Sequence, residues 1–145
     1  MSPLDSKIVA LGRTEDERAV EPIIEMARRL TPKSELSHFR AVAMACETLG
    51  DPKAAKTLAD LLNLPGVQGH AFTDIKVAKR ETPAGLDNNN VVRDRTLREL
   101  ILARALYRCG DWEGLGEKIL KEYQRDFRGH LARHAQAVLE AGATP

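Results

Sequence analysis

The chain has 145 residues, a formal net charge of +1 and only 4% aromatic residues. That length suits one domain, residues 1–145, able to bury a core, and near-neutrality argues against a dedicated nucleic-acid binder. With no apolar run near the ~18 residues of a membrane helix and no charged-then-apolar signal pattern at its start, the chain is expected to be cytoplasmic and to have no membrane role.

Ala and Leu dominate the apolar set, which favours closely packed helices over a β-sandwich. Residues 5–11, DSKIVAL, read as the end of a helix closed by Gly12. From Glu17 to Leu30, the residues Ala19, Val20, Ile23, Ile24, Ala27 and Leu30 fall on one stripe, with Pro22 tolerable only in the first turn. Thr31-Pro32 stops that helix, and Ser34 or Ser37 is suited to cap the next.

His38 to Leu62, HFRAVAMACETLGDPKAAKTLADLL, reads as a helical hairpin. Gly50 suits the positive φ that ends a helix, Asp51 can cap its successor, and Pro52 has the fixed φ of a first helical position. Ala54, Ala55, Leu58, Leu61 and Leu62 then share one face. Residues 65–93 break the pattern with three glycines, two prolines and an Asn triplet, Asn88 to Asn90, and are expected to be an irregular insertion. Asp94 to Cys109 resumes the helix, Gly110-Asp111 repeats the corner with Trp112 in place of proline, and Leu115, Ile119, Leu120 and Tyr123 give the next stripe. A last helix runs over about 127–141 and ends at Gly142.

Aligning the long helices on Gly50, Gly110 and Gly142 tests for an internal repeat. Seven residues before each stand Ala43, Ala103 and Ala135, and five before stand Ala45, Ala105 and Ala137. Four before are Cys46, Leu106 and Val138; eight before are Val42, Leu102 and His134. Small residues at recurring positions let successive hairpins stack closely.

The segment LGDPKAAKTLADLL and its echo CGDWEGLGEKIL resemble HEAT-like repeats of the armadillo and bilin-lyase type. The resemblance implies an all-α fold, a right-handed α-α superhelix (HEAT-like solenoid) of about three helical hairpins with the insertion between the second and third. The longer run from Arg98 to Leu139, together with SHFRAVAMACETLGDPKAA, is similar to the C-terminal helical region of large bacterial FAD-dependent oxidoreductases. The glycine-rich nucleotide fingerprint of a flavin-binding portion does not occur, so no cofactor is expected.

In HEAT-like proteins the second helix of each pair lines the concave surface. The resemblance therefore places Arg40, Arg104, Arg108 and Arg133 on an inner basic strip able to hold an acidic peptide, a phosphate or a nucleic-acid backbone. The plainer reading is a solvated helix face with Glu47, Glu99 and Glu140 mixed in. In the insertion, His70, Thr73, Asp74, Lys76, Lys79, Arg80 and Asn89 read as a binding loop. No nucleophile with a base and no carboxylate pair is visible, so no catalytic residue is assigned. His130 and His134, spaced i, i+4, have no third ligand at diagnostic spacing, and His134 aligns with packing positions, so no metal site is assigned. Cys46 and Cys109 read as buried free thiols.

The expected function is a non-catalytic scaffold or protein-interaction domain. Its partner would be another protein or a missing upstream domain, such as a flavin-dependent oxidoreductase body, and stacking of exposed solenoid ends would allow a homodimer. Two alternatives belong to other classes. A HEAT-like nucleic-acid-binding protein or DNA glycosylase needs a basic groove, aromatics and a catalytic carboxylate; a bilin-lyase-like cofactor handler needs an apolar cleft.

Overall fold

Helix α1 (Pro3–Arg13) begins with a reciprocal cap, in which the Ser2 hydroxyl accepts from the Asp5 N–H and the Asp5 carboxylate accepts from the Ser2 N–H, each at 3.1 Å. The computed structural model describes residues 2–81 and 89–142. Contrary to the expectation of a stop at Gly12, α1 runs through it. The glycine answers to packing instead: a Cβ there would lie 2.6 Å from the Cα of Ala45, so α1 and the helix bearing Ala45 touch backbone to backbone.

Helix α2 (Val20–Arg28) follows a single 3-10 turn and carries Pro22 in its first turn, where the missing N–H costs nothing. Helix α3 (Leu36–Leu49) ends at Gly50 with φ 62°, the left-handed closure expected of that residue. Neither Ser34 nor Ser37 caps it. Glu35 occupies the cap position without a side-chain bond, and the Ser34 hydroxyl accepts from the Thr31 N–H at 2.9 Å, bracing the preceding turn. At the Gly-Asp-Pro corner the Asp51 carboxylate accepts from the Lys53 N–H at 2.9 Å, and a turn starting at Pro52 leads into α4 (Ala55–Leu62).

The expected insertion is partly regular. Residues 63–74 are irregular, α5 (Ile75–Glu81) follows, and α6 begins at Asn89 and runs to Arg108. Residues 82–88, Asn88 among them, lie outside the described residues. The second corner puts Asp111 at φ 65°, and its carboxylate accepts from the N–H groups of Gly116 and Glu117 at 2.7 and 3.0 Å, closing the first turn of α7 (Leu115–Gln124). Helix α8 (Gly129–Ala141) is the last. All regular structure among the described residues is helical.

Helices α1, α3 and α6 lie side by side, α2 and α4 pack behind them, α7 packs on α6, and α8 packs chiefly on α7. The aligned alanines explain this close layering. Ala43, Ala103 and Ala135 are 2%, 0% and 0% exposed, and Cys46, Leu106 and Val138 are buried with them. The agreement stops at α8, where Ala137 and His134 stand at the surface. The reason is positional, since among the described residues α8 packs chiefly on α7.

Candidate functional site

An irregular segment inside a helical frame must find partners for its backbone groups, because a buried unpaired N–H costs about as much as a lost hydrogen bond. Residues 69–72 find them on side chains. Glu99, on the apolar stripe of α6 and 1% exposed, accepts from the Gly69 N–H through Oε2 at 2.9 Å and from the His70 N–H through Oε1 at 3.0 Å. The Tyr123 hydroxyl, from α7, donates to the same carboxyl at 2.6 Å. Burial, then the charge of Glu99, pushes the Tyr123 phenol far above its ordinary value, which keeps it a donor.

The corner between α7 and α8 holds the other side. Asp126 accepts from the Phe72 N–H at 2.8 Å, and the Phe127 N–H donates to the Phe72 carbonyl at 2.9 Å. The Arg128 guanidinium grips Asp126, donates to Thr96 Oγ1 at 3.0 Å and the His70 carbonyl at 3.1 Å, and stacks 3.6 Å from the centroid of the Phe72 ring. Burial would raise the Asp126 carboxyl, but the bonds from Arg128 and the Phe72 N–H hold it below the usual carboxylate value. The His70 ring completes the clamp. Its Nε2 donates to the Gly66 carbonyl at 2.7 Å, since a carbonyl can only accept, and its Nδ1 lies 2.9 Å from buried Glu81 at the end of α5.

A cleft of about 560 Å³ opens beside this segment, lined by Pro32, Glu35, Gly66, His70, Arg95 and Arg98 among others. Arg98 lies 5.3 Å over the Phe39 ring and donates to the carbonyls of Pro32 at 3.0 Å and Gly66 at 3.3 Å, so it ties the α2–α3 link to the segment. Burial, then the charge of Arg95, lowers its pKa.

The residues expected to form an inner basic strip fall into two kinds. Arg104 Nε donates to Glu47 Oε2 at 3.0 Å and Arg108 Nη1 donates to Glu47 Oε1, so both α6 arginines converge on one α3 carboxylate. A shallow groove of about 290 Å³, lined by Met44, Glu47, Thr48, Arg104 and Arg108, lies over the pair. Arg104 Nη1 also comes within 3.5 Å of His134 Nε2 on α8, linking three helices across one face. Partial burial, then the two arginines, holds His134 below its ordinary value. Arg40 and Arg133 are exposed, and neither has a side-chain hydrogen bond or ion pair among the described residues.

The binding-loop residues do not stay together as a loop. His70 is buried in the clamp, whereas Asp74, Lys76 and Arg80 are exposed on and before α5 and Asn89 opens α6. Asp74 accepts from the Val77 N–H at 2.9 Å, and Arg80 donates to the Gly69 carbonyl at 3.3 Å. Glu99 is the main correction: it belongs to the core, not to a solvated face. Its position three residues before Leu102 and seven before Leu106 is the sequence signal, a charge on an apolar stripe. Glu81, Thr96 and Asp126 are likewise buried, and no pattern in the chain marks Asp126 for that role.

Among the described residues no helix is long and apolar enough to cross a membrane, and no three His, Cys, Asp or Glu side chains gather into a metal-binding group. No known protein family, curated protein or solved structure matches the chain.

Proposed function

We propose that this protein is a non-catalytic interaction scaffold, a short HEAT-like solenoid whose helical frame presents a fixed surface to a protein partner. The observation that carries this reading is the use made of its buried polar groups. Glu99, Tyr123, Asp126, Arg128 and His70 are each engaged by backbone or by one another, fastening residues 69–72 to the frame. Groups so engaged are positioned as structure: His70 borders the cleft, but both of its ring nitrogens are taken up, by the Gly66 carbonyl and by Glu81. Rigid presentation of a surface lowers the ordering cost of binding, which is what a docking module needs.

The resemblance to the helical end of FAD-dependent oxidoreductases makes such an oxidoreductase body the first partner to test. Photo-crosslinkable side chains placed at Arg40, Asp74 and Lys121 sample the arginine face, the clamped segment and the far side of α7. Capture of one defined partner from the arginine face or the clamped segment, and not from position 121, supports a docking scaffold. Equal capture, or none, from all three positions overturns it.

A further inference from the structure

The convergence of Arg104 and Arg108 on Glu47 describes a carboxylate-binding arrangement already holding a carboxylate. Two guanidiniums offer more donors than one carboxylate can accept. Each Glu47 oxygen takes one bond, from Arg104 Nε and from Arg108 Nη1, and both arginine side chains line a groove open to solvent. The two arginine side chains are 29% and 25% exposed, against 13% for Glu47. The arginines are therefore reachable from the groove, and Glu47, which also lines it, is the less exposed partner.

The charge count sets the kind of ligand. Two guanidiniums less one carboxylate leave one positive charge, and partial burial, then Arg104 and Arg108, disfavours the charged form of His134 beside them. One residual charge suits a monoanionic carboxylate better than a phosphate dianion. Arg40 stands one turn before Met44 on α3, and Arg133 stands one residue before His134 on α8, further round that helix, both exposed. Positive charge thus stands on α3, α6 and α8 in a chain whose total is only +1.

We infer that this face binds an acidic stretch of a protein partner, with one Asp or Glu side chain seated on Arg104 and Arg108 and flanking acids on Arg40 and Arg133. The inference rests on the scaffold reading and names its partner chemistry. Packed helices lie ~8–10 Å apart, and an extended chain advances ~3.3 Å per residue. An extended partner crossing from α3 to α6, which pack directly, therefore presents an acid at about every third residue. Glu47 competes with the central acid and limits affinity.

The test uses the purified full chain and a fluorescein-labelled peptide carrying Glu at every third residue with Ser and Ala between, followed by anisotropy at two salt concentrations. The wild-type chain is expected to bind it, more weakly in higher salt, and Glu47→Gln is expected to tighten binding at least about fivefold by freeing both guanidiniums. Arg40→Gln and Arg133→Gln, which break no described contact, are each expected to weaken it by about threefold. A peptide with Lys in place of Glu is expected not to bind. Absence of Glu-peptide binding by both the wild type and Glu47→Gln overturns the inference. So does binding indifferent to Arg40→Gln and Arg133→Gln, or competition by inorganic phosphate at matched charge. If the crosslinking captures a partner whose binding Glu47→Gln leaves unchanged, this inference falls and the scaffold reading stands; absence of capture at every face removes the scaffold reading while the peptide still decides the anion site.

Discussion

Tyr123 donates its hydroxyl to Glu99 across 2.6 Å, and both side chains are sealed from solvent at 0% and 1% exposure. This bond joins α6 to α7 and, through the N–H groups that Glu99 also accepts, joins both to residues 69 and 70. Tyr123→Phe keeps the ring and removes only the donor. It is expected to cost about 1–3 kcal/mol in urea unfolding with an unchanged m-value. Glu99→Gln is expected to cost more, because its NH₂ must face backbone donors. In that variant the amides of Gly69 and His70 should lose hydrogen-exchange protection while those of α2 keep theirs. Uniform loss across the chain would show that the clamp is not a separable unit.

Gly12 permits the close approach of α1 to α3. A methyl group there would meet the Ala45 Cα at 2.6 Å and its Cβ at 2.9 Å. Because the obstruction is backbone, no rotamer change relieves it. Gly12→Ala is expected to lower stability by about 1–3 kcal/mol, although alanine is the better helix former. Ala45→Gly in the same chain should restore only part of the loss, since the main chain at position 45 still stands in the methyl group's way. A stabilised Gly12→Ala chain in thermal unfolding would refute the close approach.

The helices and their corners are legible in the sequence because each rests on local rules. Gly50, Asp51 and Pro52 act where their backbone chemistry places them, and the recurrent Ala43, Ala103 and Ala135 mark the buried arc by spacing alone. Gly12 misleads because a glycine near a helix end and a glycine under a crossing helix look alike in one sequence. The clamp is less legible still. Asp126 and Phe72 are 54 positions apart, and only the fold brings the acid to the N–H it satisfies. Of the four arginines singled out by sequence, the fold brings Arg104 and Arg108 together, and no spacing shows that Glu47 already engages both.

Both thiols are placed to be inert. Burial, then proximity to Cys109, raises the Cys46 thiol far above its ordinary value, and burial, then Glu47 and Asp51, pushes Cys109 up to about 12. The Cys109 thiol also donates to the Cys46 carbonyl at 3.3 Å. The native chain is expected to resist a thiol-reactive disulfide reagent at pH 8 and to release two equivalents once denatured. A prompt native reaction would show that the α3–α6 packing opens readily.

Asp5 supplies the clearest dependence on pH. Burial pulls its carboxyl upward, but hydrogen bonds from His38 at 2.6 Å, from Ser2 and from Ser37 prevail and lower it from 3.8 to about 2. A depressed carboxyl stabilises the fold fully above its unfolded value, and that contribution is lost as pH falls through the folded value. The attachment of α1 to α3 should therefore weaken between about pH 4 and pH 2. Asp5→Asn removes the titration and should lower the thermal midpoint at pH 5, with the gap to wild type narrowing towards pH 2. Asp16 and Asp126 are lowered as well, but they titrate alike in both chains and cancel in the difference. Two midpoint curves running parallel from pH 5 to pH 2 would show that the His38–Asp5 bond does not hold α1 to α3.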